Sequence, residues 1–376
     1  MTQPDQPVLI RHTSGFKYLL LSALLVLLIC AIASHSAWAQ THTPQNQTPQ
    51  NLLALHSLAK QNDPAFRAAA SQLQADLETE NQAFSALLPN INLGARIEKQ
   101  DNTYDAFGMS IDASRNPGTY SLVLNQALFR PQAWETYKQS QLSGEVAKLS
   151  FQQAEQDLVL RLTRAYFDLL TAQDDLASIR DQKVAITEQL ALAKANFEVG
   201  SATVTDQQEA QARFDLTVAQ ELAAQNQLAQ RKLQLETIVG IPVDKLATLT
   251  PTTQLSAPTP NTAEAWAEQA RNNNLRAQQA RLAKLIAKGE SNKAKYGHLP
   301  TLDLTAQMVE TEQQIFDGNS GRPFDLGVDS TTIGLVMNIP IFSGGGTQSQ
   351  VRQQAALLEK AMNNVELASR NATQAA

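Results

Sequence analysis

Few residues in this chain are of a type and spacing that could do chemistry. Five histidines occur, His12, His35, His42, His56 and His298, and none stands at the i, i+3 or i, i+4 spacing that places two imidazoles on one metal. The single cysteine, Cys30, sits in an apolar run and follows Ile29 rather than a small residue, which speaks against lipidation there. Ser343-Gly344-Gly345-Gly346 is glycine-rich but lacks the lysine and hydroxyl of a phosphate-binding loop, so it reads as a turn. No Gly-x-Ser-x-Gly and no paired catalytic acids stand out. The expectation is a protein with no catalytic residues, no metal, no cofactor and no enzymatic activity.

What the chain does carry is a pattern of faces. Residues 91, 93, 95 and 97 are apolar, and Asn92, Gly94, Arg96 and Glu98 alternate with them. That two-residue period is a strand with one apolar and one polar face. Residues 302, 304, 306 and 308 repeat it, with Asp303 and Gln307 on the polar side. If these strands span a membrane, the apolar set meets lipid, and Asn92, Arg96, Asp303 and Gln307 line a wet lumen.

These faces need elements to position them, and the N-terminus says where. Arg11 and Lys17 precede an apolar stretch from 18 to 32, and Ala37-Trp38-Ala39 offers a cleavage site before Gln40. Residues 1–39 read as an export signal. Residues 40–50 are polar and punctuated by proline, a disordered leader. After Gln40 no apolar run approaches the ~18–20 residues of a membrane helix. The formal net charge of −6 gives no footprint for nucleic acid. With 43% hydrophobic but only 6% aromatic residues, the composition suits a helix-rich chain built on Ala and Leu.

Residues 51–87 read as helix, broken at Asn62-Asp63-Pro64, where Asp63 can cap and Pro64 can start a new helix. Strands follow at 89–98 and 119–129, the second with Tyr120, Leu122, Leu124 and Leu128 on one side, separated by a loop at 99–118. A helix then runs from 132 to 197, 66 residues, with no proline and the single glycine Gly144. It carries two heptad series: Leu158, Ala165, Ala172, Ile179, Ile186, Ala193, and Leu162, Leu169, Leu176, Lys183, Leu190, Phe197. Such a seam packs as a coiled coil, with only Lys183 breaking it. Gly200 ends the helix, and Thr205 or Asp206 caps a return helix that stops at Gly240.

The order then recurs. After a connector at 241–262, residues 263–298 read as helix, and His298-Leu-Pro-Thr-Leu-Asp-Leu-Thr-Ala-Gln307 matches Leu87-Leu-Pro-Asn-Ile-Asn-Leu-Gly-Ala-Arg96. A loop at 311–330 precedes Gly334-Leu-Val-Met-Asn-Ile-Pro-Ile-Phe342, which matches Ser121-Leu-Val-Leu-Asn-Gln-Ala-Leu-Phe129, and Gly344 to Gly346 open another helix. The reading is an internal duplication: a first repeat at 51–240 and a second at 263–376, the second incomplete because the chain stops inside its long helix, a C-terminal truncation.

Three stretches carry a family resemblance: Ala165-Tyr-Phe-Asp-Leu-Leu170, Ala195-Asn-Phe-Glu-Val-Gly-Ser-Ala-Thr-Val-Thr-Asp206 with Ala210-Gln-Ala-Arg-Phe-Asp215, and Gly297-His-Leu-Pro-Thr-Leu-Asp-Leu304 with Ile339-Pro-Ile-Phe-Ser-Gly-Gly345. With them the chain resembles the TolC family of outer-membrane efflux and type I secretion channels. The resemblance implies a mainly α fold with β: long antiparallel coiled-coil hairpins plus four strands per chain contributing to a trimeric, twelve-stranded transmembrane barrel. It implies a homotrimer in the outer membrane lipid of a Gram-negative cell, with a periplasmic extension. The implied partners are a periplasmic adaptor (membrane fusion) protein and an inner-membrane transporter of the RND or ABC type. It assigns adaptor docking to the tip residues Val199, Gly200, Ser201, Ala202, Thr203, Val204, Thr205 and Asp206. Two alternatives stand beside the channel: a periplasmic adaptor-like coiled-coil protein, and a non-functional truncated remnant of such a channel.

Overall fold

The structure, a computed structural model, describes residues 50–106, 109–115, 118–248, 257–316 and 323–376. The export signal at 1–39 and the leader up to residue 49 lie outside the described residues, as does 249–256 of the connector.

Helix α1, Leu52–Asn62, is capped by the Asn51 side chain, which accepts from the Ala54 amide at 2.8 Å. Helix α2, Pro64–Ser85, restarts where expected: the Asp63 carboxylate accepts from the Phe66 amide and Pro64 takes the first turn. The equivalent segment of the second half was expected to be one helix over 263–298. It is two, α5 (Ala263–Asn273) and α6 (Leu275–Tyr296), with the Asn274 side chain accepting from the Ala277 amide at 3.2 Å. An asparagine caps as well as an aspartate, but no proline follows Asn274 to advertise the break. Asp63 and Asn274 stand 211 residues apart, as do Leu87 and His298.

Helix α3, Pro131–Glu198, has 68 residues and rises roughly 100 Å. Helix α4, Val204–Val239, runs back along it and stops at Gly240, whose φ of 75° is the left-handed cap that glycine favours. The heptad seam is real. Leu158, Leu162, Ala165, Leu169, Ala172, Leu176 and Leu190 are buried, and among the series members only Phe197 is exposed. Lys183, the interruption, donates to Glu221 of α4 at 2.7 Å, and Arg180 reaches the same carboxylate at 3.2 Å. The seam therefore admits a charge where the partner helix supplies its counter-ion.

The densest packing lies where the hairpin meets the entry helices. Leu55 and Ala59 of α1, Phe66 of α2, Leu158, Leu162 and Leu169 of α3, and Leu235 and Val239 of α4 form one cluster with Val243. Gln50, assigned by composition to the leader, is instead tied to the connector: its amide donates to Lys245 O at 3.0 Å, and its carbonyl accepts from Ala247 N at 3.1 Å. The Tyr166 hydroxyl donates to the Ala247 carbonyl, closing the strap over the cluster.

Strands β1 (Asn90–Ile97), β4 (Gly118–Phe129), β5 (Thr301–Phe316) and β6 (Pro323–Asn338) form an antiparallel sheet in the order β1-β4-β5-β6. Two expected loops are largely strand. Residues 99–118 contain β2 (Gln100–Ala106) and β3 (Met109–Arg115), paired with each other. In both β1/β4 and β2/β3 the two numbers of every pair add to 215, so the second ladder continues the register of the first. The segment 311–330 likewise belongs to β5 and β6 except for residues 317–322, which lie outside the described residues. The Asp, Asn and Gly content that suggests a loop governs side chains. Once a hairpin is closed, each further pair adds main-chain hydrogen bonds without a new closure cost. In the other direction β6 is shorter than expected, ending at Asn338 rather than Phe342. Pro340 has no N–H to offer a ladder. Helix α7, Gly346–Ala375, follows a left-handed Gly345 and packs on α5 and α6.

Candidate functional site

The sheet presents two faces with different chemistry. Pairing places Asn92, Val123, Gln307 and Thr332 in one transverse row, and Arg96, Thr119, Thr311 and Val328 in another, all on one side. The four residues read as lumen-lining, Asn92, Arg96, Asp303 and Gln307, share that face. Arg96 is well exposed and contacts Glu98 at 2.5 Å. Asp303 differs from the other three. Arg130, the residue between β4 and α3, donates one guanidinium nitrogen to both carboxylate oxygens at 2.9 Å, and the aspartate side chain is only 15% exposed. This ion pair joins the base of the sheet to the start of the long helix, across 173 positions of sequence. No local pattern announces it.

The opposite face is apolar and open. Ile91, Leu124, Ala306 and Ile333 form one row, and Leu93, Leu122, Met308 and Thr331 the next. Ile97 is 78% exposed and Ile333 73%. The aliphatic side chains of the edge strands are well exposed, those of Leu122, Leu124 and Ala306 on the central strands are half-buried, and together they make a contiguous apolar patch. A register shift between Ala127 and Phe129 brings Phe129, rather than the expected Leu128, opposite Leu302. Both edge strands, β1 and β6, have one side unpaired among the described residues.

The hairpin tip is a tightly capped turn. The Gly200 amide donates to Phe197 O at 3.0 Å and the Ser201 amide to Asn196 O at 2.8 Å, the paired bonds of a Schellman end, with Gly200 at φ 76°. The return helix was expected to be capped by Thr205 or Asp206. The cap is Thr203: its hydroxyl accepts from the Asp206 amide at 3.2 Å, while the Asp206 carboxylate accepts from the Thr203 amide at 2.8 Å. That reciprocal box satisfies two orphan donors, which Thr205 could not do from inside the helix. The bonds from Thr203 hold the Asp206 carboxyl below the usual range. Within this fixed turn Val199, 78% exposed, and Val204 stand in solvent, with Ser201 and Thr205 beside them. The arrangement is a doubly capped turn that presents two aliphatic side chains and two hydroxyls to solvent.

Two further ion pairs link separate helices. Arg161 of α3 donates to the Asp63 cap at 2.6 Å, so one carboxylate serves a helix start and an interhelical bridge. That bond raises the Arg161 pKa. The Lys183 hydrogen bond, then Arg180, lowers that of Glu221. The lone charge in an apolar seam was the available signal for the second pair.

An amphipathic four-stranded sheet set on a helical hairpin of this length is the architecture of outer-membrane channel subunits. The crystal structure of CusC has this fold, with a TM-score of 0.69 at 16% identity over 92% of this chain and 81% of that one. Residues 55–241 match the family described as outer membrane efflux protein. Outer membrane protein TolC of Escherichia coli (strain K12) is 32% identical over 330 residues, 86% of this chain and 66% of that protein. Outer membrane protein TolC of Vibrio cholerae is 31% identical over 328 residues, 86% of this chain and 72% of that protein. The chain belongs to the outer membrane efflux protein family, the TolC family. It spans about two thirds of the length of these relatives.

Proposed function

We propose that the chain is a subunit of an outer-membrane channel that serves a tripartite efflux pump or a type I secretion system. It exports small molecules or proteins from an inner-membrane pump to the outside of a Gram-negative cell. The observation that carries this reading is the inverted sheet: its aliphatic face is open while its polar face holds Asn92, Arg96 and Gln307. In lipid an open sheet edge is not viable, because unpaired N–H and C=O groups there cost several kcal/mol each. Four strands per copy therefore need partners. Three copies give twelve strands, with the apolar rows toward lipid and the polar rows toward a water-filled lumen.

The α3–α4 hairpin continues this conduit into the periplasm. The Val199–Asp206 tip docks a periplasmic adaptor protein, which joins it to an RND or ABC transporter. The channel itself performs no chemistry: it supplies a polar path, and the transporter supplies the energy. The shared break at Asp63 and Asn274, at the same offset as the matched strands, supports an origin by duplication of a helix–strand–strand–helix unit.

The test is to express the chain with its signal and analyse outer-membrane fractions unheated on SDS gels. The purified protein is then placed in planar bilayers. A heat-dissociable trimer with discrete conductance is the expected result. A monomer confined to the soluble periplasm would overturn it.

A further inference from the structure

We infer that β6 of one copy pairs with β1 of the next in a single register, in which Ala95 lies opposite Leu335 of the neighbouring copy. This rests on the channel reading above and deepens it to individual residues.

Direction comes first. In the order β1-β4-β5-β6 every neighbour is antiparallel, so β6 beside a second β1 is antiparallel again. Face comes second. The apolar positions are odd-numbered on both edges, Ile91, Leu93, Ala95 and Ile97 on β1, Ile333, Leu335 and Met337 on β6. A one-residue slip would turn one strand's aliphatic set into the lumen. Only registers whose paired numbers add to an even total keep the faces continuous.

Stagger then chooses among them. Each strand can be expressed in the rows of β1 through the observed pairing. The apolar residues occupy rows 91–97 on β1 and 91–95 on β4, through Tyr120, Leu122 and Leu124. With the β4/β5 register of residues 303–311 carried past the shift at Ala127/Phe129, they occupy rows 87–93 on β5, through Leu302, Leu304, Ala306 and Met308, and rows 87–91 on β6. The centre of the band thus descends by roughly 1.7 residues per strand, the slant that tilted strands give a level membrane. One more step sets the centre of the next β1 near the row of Met337. The even totals on either side of that position are 430 and 432. The first needs ~1.5 residues of descent per strand and a tilt of ~46°, the second ~2 residues and ~54°, using the usual strand rise and spacing. Membrane barrels tilt by about 35–45°; ~46° lies at the upper edge of that range and ~54° well beyond it, which favours 430 over 432.

Side-chain size agrees. In this register Ala95 opposes Leu335, Gly94 opposes Val336 and Arg96 opposes Gly334, a small residue against a larger one in each pair. The total of 428 would set Gly94 against Gly334 and leave a gap in the wall. Its tilt of ~35° is within the usual range, but its descent of ~1 residue per strand is less than the ~1.7 the band shows.

The test uses the full chain with Cys30, its only cysteine, changed by Cys30→Ala. Paired cysteines are added as Ala95→Cys with Leu335→Cys on the apolar face, or Asn92→Cys with Asn338→Cys on the polar face. Directly opposed residues come within disulfide reach, whereas diagonal neighbours at about 7–8 Å do not. Under mild oxidation of outer membranes both pairs are expected to give boiling-resistant, thiol-sensitive trimers, and the single variants none. Preferential cross-linking of Ala95→Cys with Ile333→Cys, or with Met337→Cys, would overturn the register and leave the trimer standing. Unheated trimers with no cross-link in either proposed pair would overturn it too. If the Cys30→Ala chain and the unsubstituted chain both form no trimer, the channel reading fails and the register with it.

Discussion

In the α3–α4 hairpin, Leu158, Leu162 and Leu235 are sealed between helices at 1% exposure or less. In the sheet, Ile91, Ile97 and Ile333 stand open to more than half their surface. Both regions are built from aliphatic residues at a strict period, and the difference lies in where the period points. The hairpin turns its seam toward its own chain. Among the described residues, no helix of this chain packs over the apolar side of the sheet. The apolar surface of the hairpin folds the chain, whereas that of the sheet is left facing outward.

That contrast is most sharply tested in the hairpin. Leu158→Ala should cost about 2–5 kcal/mol, because the emptied volume lies among fully buried neighbours. Chemical denaturation followed by helical circular dichroism would measure it. The same truncation at Ile97 should cost far less in water. In the sheet, Ile333→Arg should destabilise the membrane-inserted state by about 2–4 kcal/mol. Thr332→Arg, one residue away on the polar face, should be nearly neutral. Urea-dependent folding into lipid vesicles reads both, and equal losses would erase the distinction between the faces.

Part of this was legible in the sequence and part was not. Alternation over 91–97 and the heptads of α3 are read directly, because a period of two or seven is printed in the residue order. The strands β2 and β3 were not legible, since their pairing follows from a register already set by β1 and β4. The Arg130–Asp303 clasp was invisible for another reason: it needs both halves of the chain folded together. At the tip the turn is legible but the capping residue is not, because Thr203, Thr205 and Asp206 are all capping types. Only the reciprocal bonds distinguish among them.

Smaller effects sharpen the comparison at the tip. Thr203→Ala should remove about 1 kcal/mol of helix capping. It should also loosen the turn enough to raise amide exchange at residues 199–206, without altering exchange in the sheet. The charged step in the seam gives a pH signature. Glu221 has a lowered pKa in the folded hairpin, so its contribution is present above its unfolded pKa and is lost as pH falls through the folded value. Thermal melts should show this acid-side loss, and Glu221→Gln should flatten it.

The most direct measurement of the central claim is site-directed spin labelling of the two faces in reconstituted membranes. Labels at Leu93, Leu122, Leu304 and Ile333 are compared with labels at Asn92, Gln307 and Thr332. The account predicts high collision rates with oxygen and low rates with a water-soluble nickel chelate at the first set, and the reverse at the second. Equal access of the chelate to both sets would contradict it and make the sheet a water-soluble, two-faced surface.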